Sequence, residues 1–316
     1  MSEANATERG TAGDSTTIPW RRFLGEAAER LRAAGFGSAE VEARRIVEEV
    51  TGAEDAAELH ELLDRPATVR GVARFDALLA RREAGEPLQY VLGRWGFRRL
   101  DLMVDRRVLI PRPETELVTE VALAEIDRVV AAVGASHRAR LSVVDLGAGS
   151  GAIALSLAAE RVEVDVWGVE ASADALAVAS ANLAGIGRPA WRVRLLEGSW
   201  YEPLPAELAG SVGVVVSNPP YIAEGEQLPA EVADWEPAGA LVAGPTGLEA
   251  IEAVVSGAVA WLAPQGAVVV EIAPHQADDA RDIAAAAGFA QVAVRRDLTG
   301  RDRVLVGRAG PRPEGR

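Results

Sequence analysis

The stretch Asn218-Pro219-Pro220-Tyr221 has the residue types needed to hold a flat nitrogen group. It follows the apolar run Val214-Val215-Val216-Ser217, which predicts a buried strand, so the tetrapeptide begins where that strand ends. Proline lacks a backbone N–H and cannot continue a sheet, so the proline carbonyls stay free to accept hydrogen bonds. Asn218 adds a side-chain carbonyl and Tyr221 an aromatic face. A planar NH2 group has two donors, so the stretch predicts a site for a conjugated amine or amide nitrogen. Taken alone, it fits a capped Pro-Pro turn equally well.

Three further loops carry residues typical of a nucleoside-binding crevice. A predicted strand ends at Leu146, and the turn Gly147-Ala148-Gly149-Ser150-Gly151 follows it with glycine at alternate positions. Such a turn brings backbone N–H groups at the start of a helix close to a ligand. Glu170 ends the next strand, where an acidic residue commonly binds ribose hydroxyls. Trp200 follows the third strand and can stack on a purine.

Each of these loops also has a purely structural interpretation. The glycines alone fit an ordinary strand-to-helix turn, Glu170 alone fits the polar start of a helix, and a lone Trp is more often a core residue. In an open parallel sheet, however, the carboxyl ends of the strands meet at one edge, and ligands bind there. Because the four loops follow four successive predicted strands, their combination favours a ligand site.

The elements that position these loops alternate between strands and helices from Leu141 onward. This alternation predicts an α/β domain with a doubly wound, mostly parallel sheet of seven strands. Only eight residues separate the last two strands, too few for a parallel crossover, so an antiparallel C-terminal hairpin is expected. The predicted strands are 141–146, 164–170, 191–196, 212–217, 267–272, 291–294 and 303–306. The predicted helices are 153–159, 174–183, 248–262 and 277–287.

The N-terminal part of the chain has a different pattern. From residue 18 to about residue 86, apolar residues recur at helical spacing and predict a small all-helical domain without a chemical motif. Residues 87–110 contain short apolar runs at 90–92 and 102–109, which predict strands and a hairpin linker. Residues 111–308 are then expected to form the α/β domain that carries the four loops. The remaining segments predict a disordered tail at 1–17 and a flexible tail at 309–316.

Composition narrows the range of functions. The chain has 316 residues and a net charge of −14, and its 33 basic residues are all Arg. The acidic balance disfavours direct nucleic-acid binding, and no apolar run is long enough to predict a membrane span. Without Cys, and with three scattered His, the sequence predicts no metal site. The polar N-terminus does not predict a secretory signal, so a cytoplasmic protein is expected.

Several strings of the sequence resemble a known family. The order of the four loops resembles class I S-adenosylmethionine-dependent methyltransferases, and the tetrapeptide is similar to those that methylate planar amino groups. The strings with the closest resemblance are Pro87-Leu88-Gln89-Tyr90-Val91-Leu92-Gly93, Leu109-Ile110-Pro111-Arg112-Pro113-Glu114-Thr115-Glu116, Trp235-Glu236-Pro237 and Gly247-Leu248. They are similar to the bacterial HemK/PrmC family, the peptide chain release factor N5-glutamine methyltransferases, over residues 18–308.

The resemblance implies a role for each loop. S-adenosylmethionine is the implied cofactor, with residues 147–151 at its methionine part, Glu170 at its ribose and Trp200 beside its adenine. Asn218 belongs to both the implied cofactor site and the substrate site. The implied substrate is the glutamine of the Gly-Gly-Gln motif of class 1 release factors, which the helical domain helps to bind. The implied catalytic residues are Asn218, Pro219 and Tyr221, and Pro220 joins them in the substrate site.

Two positions depart from the family pattern, and three rival functions stay open. Glu170 stands where the family usually has Asp, and Ala273 stands where Gly is common. The rivals are a glutamine methyltransferase of a ribosomal protein, an N-methyltransferase of an exocyclic amine in nucleic acid, and an inactive cofactor-binding adaptor. The intact tetrapeptide disfavours an inactive adaptor, and the acidic net charge disfavours an enzyme that acts on nucleic acid.

Overall fold

The computed structural model describes residues 17–133 and 140–311. The chain divides into two compact units, one ending at Leu92 and the other beginning at Gly93, inside the predicted linker 87–110. Residues 1–16 of the predicted disordered tail and residues 312–316 of the predicted C-terminal tail lie outside the described residues. Within the described ranges, no helix combines the length and apolar character needed to cross a membrane.

The N-terminal unit is helical, as predicted. Apolar residues spaced three or four apart meet in a core that includes Trp20, Phe23 and Phe75, with the ring centroids of Phe23 and Phe75 5.4 Å apart. A buried ion pair joins Arg82 to Glu42, with 2.6 Å between Nε and Oε2. The helices are α1 (Trp20–Ala33), α2 (Ala39–Thr51), α3 (Ala56–Leu63), α4 (Val69–Glu83) and α5 (Leu88–Leu92).

The predicted strand at residues 90–92 is wrong, because this segment is helix α5. A short apolar run fits either structure, so periodicity could not decide between them. The helical form is stabilised by a residue outside this segment. The guanidinium of Arg81 donates to the carbonyls of Tyr90 and Val91 at 2.8 and 3.1 Å, which satisfies carbonyls at the helix end.

A hairpin does follow, formed by β1 (Arg94–Phe97) and β2 (Leu100–Met103). The predicted extended structure at Val104, Val108 and Leu109 is absent from this described segment. Here the chain makes a turn, in which the Val108 N–H donates to the Asp105 carbonyl at 3.0 Å. Local turn chemistry thus outweighs β-branched composition.

The C-terminal unit contains the predicted seven-stranded sheet. In chain order its further strands are β3 (Leu141–Leu146), β4 (Val164–Glu170), β5 (Val193–Glu197), β6 (Val212–Ser217), β7 (Ile222–Ala223), β8 (Val242–Gly244), β9 (Leu262–Glu271), β10 (Gln291–Arg296) and β11 (Asp302–Arg308). The large sheet has the spatial order β10-β11-β9-β6-β3-β4-β5, and β7 pairs separately with β8. β11 is antiparallel to β9 and β10, which confirms the predicted hairpin, and the other pairings are parallel.

Helices cover both faces of the sheet and close two apolar cores. Adjacent residues of β3 point to opposite faces, so Val143 belongs to one core and Val144 to the other. The helices are α6 (Pro113–Val133), α7 (Ala152–Glu160), α8 (Ala173–Gly185), α9 (Ala230–Ala233), α10 (Glu249–Trp261) and α11 (Ala277–Ala286). The longest of them, α6, was not among the predicted helices.

Two strands begin at positions that differ by two or more residues from the predicted ones, and β10 and β11 each end two residues later than predicted. β5 begins at Val193, not at Trp191, because Arg188–Arg192 form a 3-10 turn in which Trp191 is 88% exposed. β9 begins at Leu262, five residues before the predicted start, and its pairing with β6 is irregular near that end. Neither shift moves the carboxyl ends of the strands, where the predicted site residues lie.

Candidate functional site

A cavity of about 500 Å³ opens at the carboxyl edge of the sheet. It lies where the strand order reverses between β3 and β6, the position at which open α/β sheets bind ligands. The volume is within the range of small-molecule sites. Loops after β3, β4, β5 and β6 all contribute to its wall. The predicted site residues in that wall are Gly147, Ala148, Gly149, Ser150, Glu170, Trp200, Asn218 and Pro220.

A second cavity, of about 180 Å³, shares Asn218 with the first. Pro219 and Tyr221, predicted to hold the substrate amide, line this smaller cavity. Asn218 therefore belongs to the walls of both. Gly151 lines neither of the two cavities; a Cβ there would lie 3.0 Å from Leu155 Cδ1, so the glycine permits close packing at the start of α7.

The glycine turn after β3 has a backbone that other residues rarely adopt. Gly147, Gly149 and Gly151 have φ of 75°, 55° and 84°. Within the described structure, a Cβ on Gly149 would meet no heavy atom within 4 Å, and it would project beside the larger cavity. At Gly149, therefore, the wall of the larger cavity consists of backbone atoms only.

The Glu170 carboxylate fixes the turn from the neighbouring strand. One of its oxygens accepts from the Gly149 N–H at 2.8 Å and the other from the Ser172 N–H at 2.9 Å. A carboxylate has about four acceptor positions, so each oxygen retains capacity for a ligand hydroxyl. The Glu in place of the family's usual Asp thus spans from β4 to the turn while it still faces the cavity.

Asp145 lies buried at the base of the same turn. Its Oδ2 accepts from the Ala154 N–H at 2.9 Å, while Oδ1 has no hydrogen-bond partner among the described residues. Burial raises the pKa of Asp145 to about 7, and the nearby Glu170 charge acts in the same direction. Asp145 is absent from the lining of both cavities, so its contacts anchor the start of α7.

Trp200 is held in the wall by its neighbour. Its φ of 47° is unusual for a residue with a side chain. Next to it, the hydroxyl of Tyr201 donates to the Val254 carbonyl at 2.6 Å, and the Tyr201 ring stacks on Trp261 at 5.9 Å between centroids. Trp200 itself lines the larger cavity and packs partly against the core.

Asn218 is part of a buried chain of polar side chains. Its Nδ2 donates to Thr115 Oγ1 at 3.1 Å, and the Thr115 hydroxyl donates to Glu271 Oε2 at 2.7 Å. The Tyr221 hydroxyl approaches the other Glu271 oxygen at 3.4 Å. Glu271 is 1% exposed, and burial raises its pKa to about 7, against the Thr115 hydrogen bond and the charge of Arg303. The Asn218 side-chain oxygen is left for another donor.

A second set of contacts fixes the loop that follows Asn218. The side-chain NH2 of Gln276 donates to the carbonyls of Tyr221 and Gly247 at 2.9 and 3.0 Å. Gln276 Oε1 accepts from the Ala273 N–H at 3.1 Å. Ala273 has a φ of −70°, ordinary for any residue, so the departure from Gly is accommodated without strain.

Two of the segments that resemble the family, residues 109–116 and 235–237, meet at the buried carboxylate of Glu236. Glu236 forms an ion pair with Arg112 and accepts from the Ile110 N–H at 3.3 Å. Burial raises the pKa of Glu236, although Arg112 acts against it. This junction joins the segment before α6 to the loop before β8, and Arg112 itself lines the smaller cavity.

The sequence did not single out Thr115, Glu271 or Gln276 as site residues. Thr115 lies within residues 109–116, one of the strings that resemble the family. Glu271 is a charged residue at the end of an apolar strand, and that position could have indicated a site residue. Their partners are far away along the chain, so spacing could not reveal the contacts.

The site has little acid–base or metal chemistry of its own. Burial and the nearby Glu271 charge raise the pKa of Tyr221, so its phenol stays protonated at neutral pH. In the described ranges, no cluster of three or more His, Cys, Asp or Glu could hold a metal ion. The arrangement can position and orient a ligand, and it offers fixed hydrogen-bond acceptors.

Two family models match the chain. The model described as "PrmC N-terminal domain" matches residues 23–93, and the model described as "Methyltransferase small domain" matches residues 129–234. The first covers most of the helical unit. The second covers the strands whose loops form the two cavities, up to the segment before β8.

Curated relatives match nearly the whole chain. A release factor glutamine methyltransferase of Burkholderia pseudomallei is 42% identical over 286 residues, covering 89% of this chain and 95% of that protein. One of Cereibacter sphaeroides is 39% identical over 290 residues, covering 90% and 96%. One of Geobacter sulfurreducens is 37% identical over 292 residues, covering 92% and 96%.

Proposed function

The chain belongs to the release factor glutamine methyltransferase family, and from this premise we propose how its site works. The enzyme transfers a methyl group from S-adenosylmethionine to the side-chain amide nitrogen, N5, of a glutamine. The substrate is the glutamine of the Gly-Gly-Gln motif in class 1 peptide chain release factors, in the cytoplasm. The observation that supports this proposal most is that Asn218 lies in the walls of both cavities and that no described residue donates a hydrogen bond to its side-chain oxygen.

The larger cavity fits the cofactor. The turn at residues 147–150 offers backbone N–H groups, Glu170 retains acceptor positions for ribose hydroxyls, and Trp200 offers a flat surface for adenine. Within the described structure the Cβ position of Gly149 is open, so the glycine turn is accessible on this side. When bound, the cofactor supplies a methyl group on a positively charged sulfur, which is an excellent leaving group.

The smaller cavity fits the glutamine amide. Asn218 Oδ1 and the Pro219 carbonyl accept the two amide hydrogens, and Tyr221 packs against the amide plane, while Pro220 borders the amide from the wall of the larger cavity. An amide nitrogen is a weak nucleophile because its lone pair is delocalised, so orientation has to supply most of the rate. Correct positioning can contribute roughly 7–11 kcal/mol, and fixed acceptors stabilise positive charge that develops on nitrogen. Tyr221 is not a base, so water takes the proton after transfer.

The helical unit is proposed to recognise the release factor. It has its own core, and among the described residues that line the two cavities none belongs to this unit. Removal of residues 1–92 is expected to raise KM for the release factor and to leave cofactor affinity unchanged, measured by steady-state kinetics and calorimetry. Full activity of the shortened chain on intact release factor would contradict this role.

Mass spectrometry of a release factor incubated with the enzyme and methyl-labelled cofactor tests the function directly. One methyl group is expected on the Gly-Gly-Gln glutamine, and none on a factor with that glutamine changed to Ala. Ribosomal proteins and unmodified DNA or RNA serve as parallel substrates. Label on one of these at the rate expected for the factor would replace the proposed substrate by a rival one.

A further inference from the structure

The Thr115 hydroxyl occupies a position that controls which way the Asn218 side chain faces. Thr115 is 4% exposed at the start of α6, with its oxygen 2.7 Å from Glu271 Oε2 and 3.1 Å from Asn218 Nδ2. A hydroxyl has one hydrogen, and an ionised carboxylate can only accept. The Thr115 hydrogen therefore goes to Glu271, and its lone pairs face Asn218.

The two ends of the Asn218 side chain differ in hydrogen bonding but hardly in size. Packing alone cannot distinguish the oxygen from the NH2 group, so the hydrogen-bond network sets the orientation. With Thr115 acting as an acceptor, the NH2 group turns towards it and the oxygen turns away. In the opposite orientation, Asn218 would present a donor to the substrate NH2 group, and the two donors would repel each other.

We propose that Thr115 and Glu271 are positioning residues that hold the Asn218 oxygen towards the substrate, so that the site selects a glutamine amide over a glutamate carboxylate. This inference rests on the proposed function. Asn218 Oδ1 and the Pro219 carbonyl then form a pair of acceptors. The pair complements an NH2 group with two hydrogens and repels the two oxygens of a carboxylate.

The charge of Glu271 determines the direction of the hydrogen bonds that link Glu271, Thr115 and Asn218. The groups that face it are Thr115 and Glu114 of α6, Tyr221 from the loop after β6, and Arg303 of β11. Protonated Glu271, or a Gln in its place, can donate to Thr115. The Thr115 hydrogen would then turn to Asn218 and favour the wrong orientation of the amide. Turnover should therefore rise with pH as Glu271 ionises.

The central variant is Thr115→Val, which keeps the shape and removes the hydroxyl. We expect kcat on the release factor to fall roughly 10- to 100-fold, less than for loss of a direct transition-state contact. Thr115 also lines the larger cavity, but valine keeps the shape of that wall, so cofactor affinity, measured by calorimetry, should fall by a smaller factor than kcat. Thr115→Ser retains the hydroxyl and should restore most of the lost kcat.

Thr119→Val is the matched control. Thr119 lies one turn along the same helix, is fully buried, and donates to the Thr115 carbonyl at 3.1 Å within the helix. The same chemical change at this position should leave kcat within about twofold of wild type, because among the described residues Thr119 makes no hydrogen bond to Asn218. An equal loss in both variants would indicate a general packing defect and overturn the proposal.

The discrimination between amide and carboxylate is the readout that a merely structural role would not change. A release factor with Glu in place of the Gly-Gly-Gln glutamine is used as a competitive inhibitor, and its Ki is compared with KM for the unaltered factor. The wild-type enzyme should bind the Glu form poorly. In Thr115→Val the Asn218 amide can turn and donate, so the ratio of Ki to KM should fall about tenfold, near the value of one hydrogen bond.

Each outcome has a distinct meaning. An active wild-type enzyme, together with unchanged kcat and unchanged discrimination in Thr115→Val, overturns this inference alone. No transfer by the wild-type enzyme to the release factor glutamine overturns the proposed function and this inference with it. Should Thr115→Val unfold, Glu271→Gln carries the test at pH 8, where it should lose kcat and discrimination while wild type keeps both.

Discussion

The two halves of the site are built by different means. The cofactor side includes a backbone surface, to which Gly147 and Gly149 contribute at positive φ, and Glu170 fixes it through the Gly149 and Ser172 N–H groups. The amide side is a set of side chains, in which Asn218 is oriented through Thr115 and Glu271. A backbone surface is defined by local sequence, whereas a side-chain network needs residues from distant segments. The first half should therefore govern cofactor binding, and the second should govern turnover.

Asn218→Ala gives the largest expected effect and tests this division most directly. It removes one of the two acceptors for the amide, so kcat should fall roughly 10²–10³-fold, on the scale of a lost oxyanion-type contact. Cofactor affinity, measured by calorimetry, should change far less. Asn218→Asp keeps an acceptor but adds charge and loses the NH2 donors to Thr115, so we expect partial activity. Equal losses of kcat and of cofactor affinity in the Ala variant would show that the two halves are not separable.

Gly149→Val should have the opposite signature. The β-branched side chain would project beside the cofactor cavity from a backbone with a φ of 55°. Cofactor affinity should fall roughly 100-fold from strain and steric conflict together. Gly210→Val is the control, because Gly210 has a φ of 71° and an equally open Cβ position but lines neither cavity. A similar loss of cofactor affinity in both variants would assign the effect to backbone strain alone.

Glu170→Ala should weaken cofactor binding by a smaller factor. The variant loses the carboxylate that braces the turn and faces the cavity, which should cost roughly tenfold or more in affinity. Glu197→Ala is the matched control, since Glu197 pairs with Glu170 at the end of the neighbouring strand and lies outside the cavity lining. Calorimetry that finds wild-type affinity in Glu170→Ala would remove this residue from the cofactor site.

The pH dependence of stability gives the smallest and most specific contrast. Each half of the site has a buried carboxyl whose pKa is raised to about 7, Asp145 below the glycine turn and Glu271 behind Asn218. A raised pKa means that the folded state binds the proton more tightly. The stability contributed by each group is complete below its unfolded pKa, near 4, and is lost as the pH rises through about 7.

The stability of Asp145→Asn relative to wild type should therefore increase as the pH rises from 5 to 8, because the wild type loses the contribution of its buried carboxyl. The expected gain is a few degrees in Tm, since ~1 kcal/mol corresponds to about 2–4 °C in a domain of this size. Because Asp145 lines neither cavity, the pH profile of kcat should stay that of wild type. Glu271→Gln should instead lose the rise of kcat through pH 7. If the Asn variant changes the kcat profile and not the Tm profile, the roles assigned to the two carboxyls are reversed.

The same contrast explains how far the sequence could predict the structure. Strands β3, β4 and β6 were predicted to the residue, and the glycine turn was identified, because both are set by composition within a few positions. Thr115 and Glu271 are 156 residues apart along the chain and meet only after the fold has formed. No local pattern in either segment specifies that contact.

Helix α6 and the segment at residues 90–92 show the limits of local patterns. The buried residues Val118, Ala122 and Ile126 of α6 have the i, i+4 spacing of a helix, so the sequence does contain a local signal for this helix. Residues 90–92 are different. Their apolar run fits a strand, and the hydrogen bonds from Arg81 favour a helix, which is information that the run itself does not contain.

The side chain of Gln276, which fixes the loop after Asn218, makes the same kind of hydrogen bonds as those proposed for the substrate glutamine. The enzyme holds a glutamine of its own, and that side chain donates both amide hydrogens to backbone carbonyls, those of Tyr221 and Gly247. The proposed substrate would be held in the same way, by two oxygen acceptors on its NH2 group. Gln276 is 2% exposed and lines neither cavity. Its amide nitrogen is therefore enclosed by the protein and outside the lining of both cavities, and the two-acceptor arrangement here serves to fix the loop.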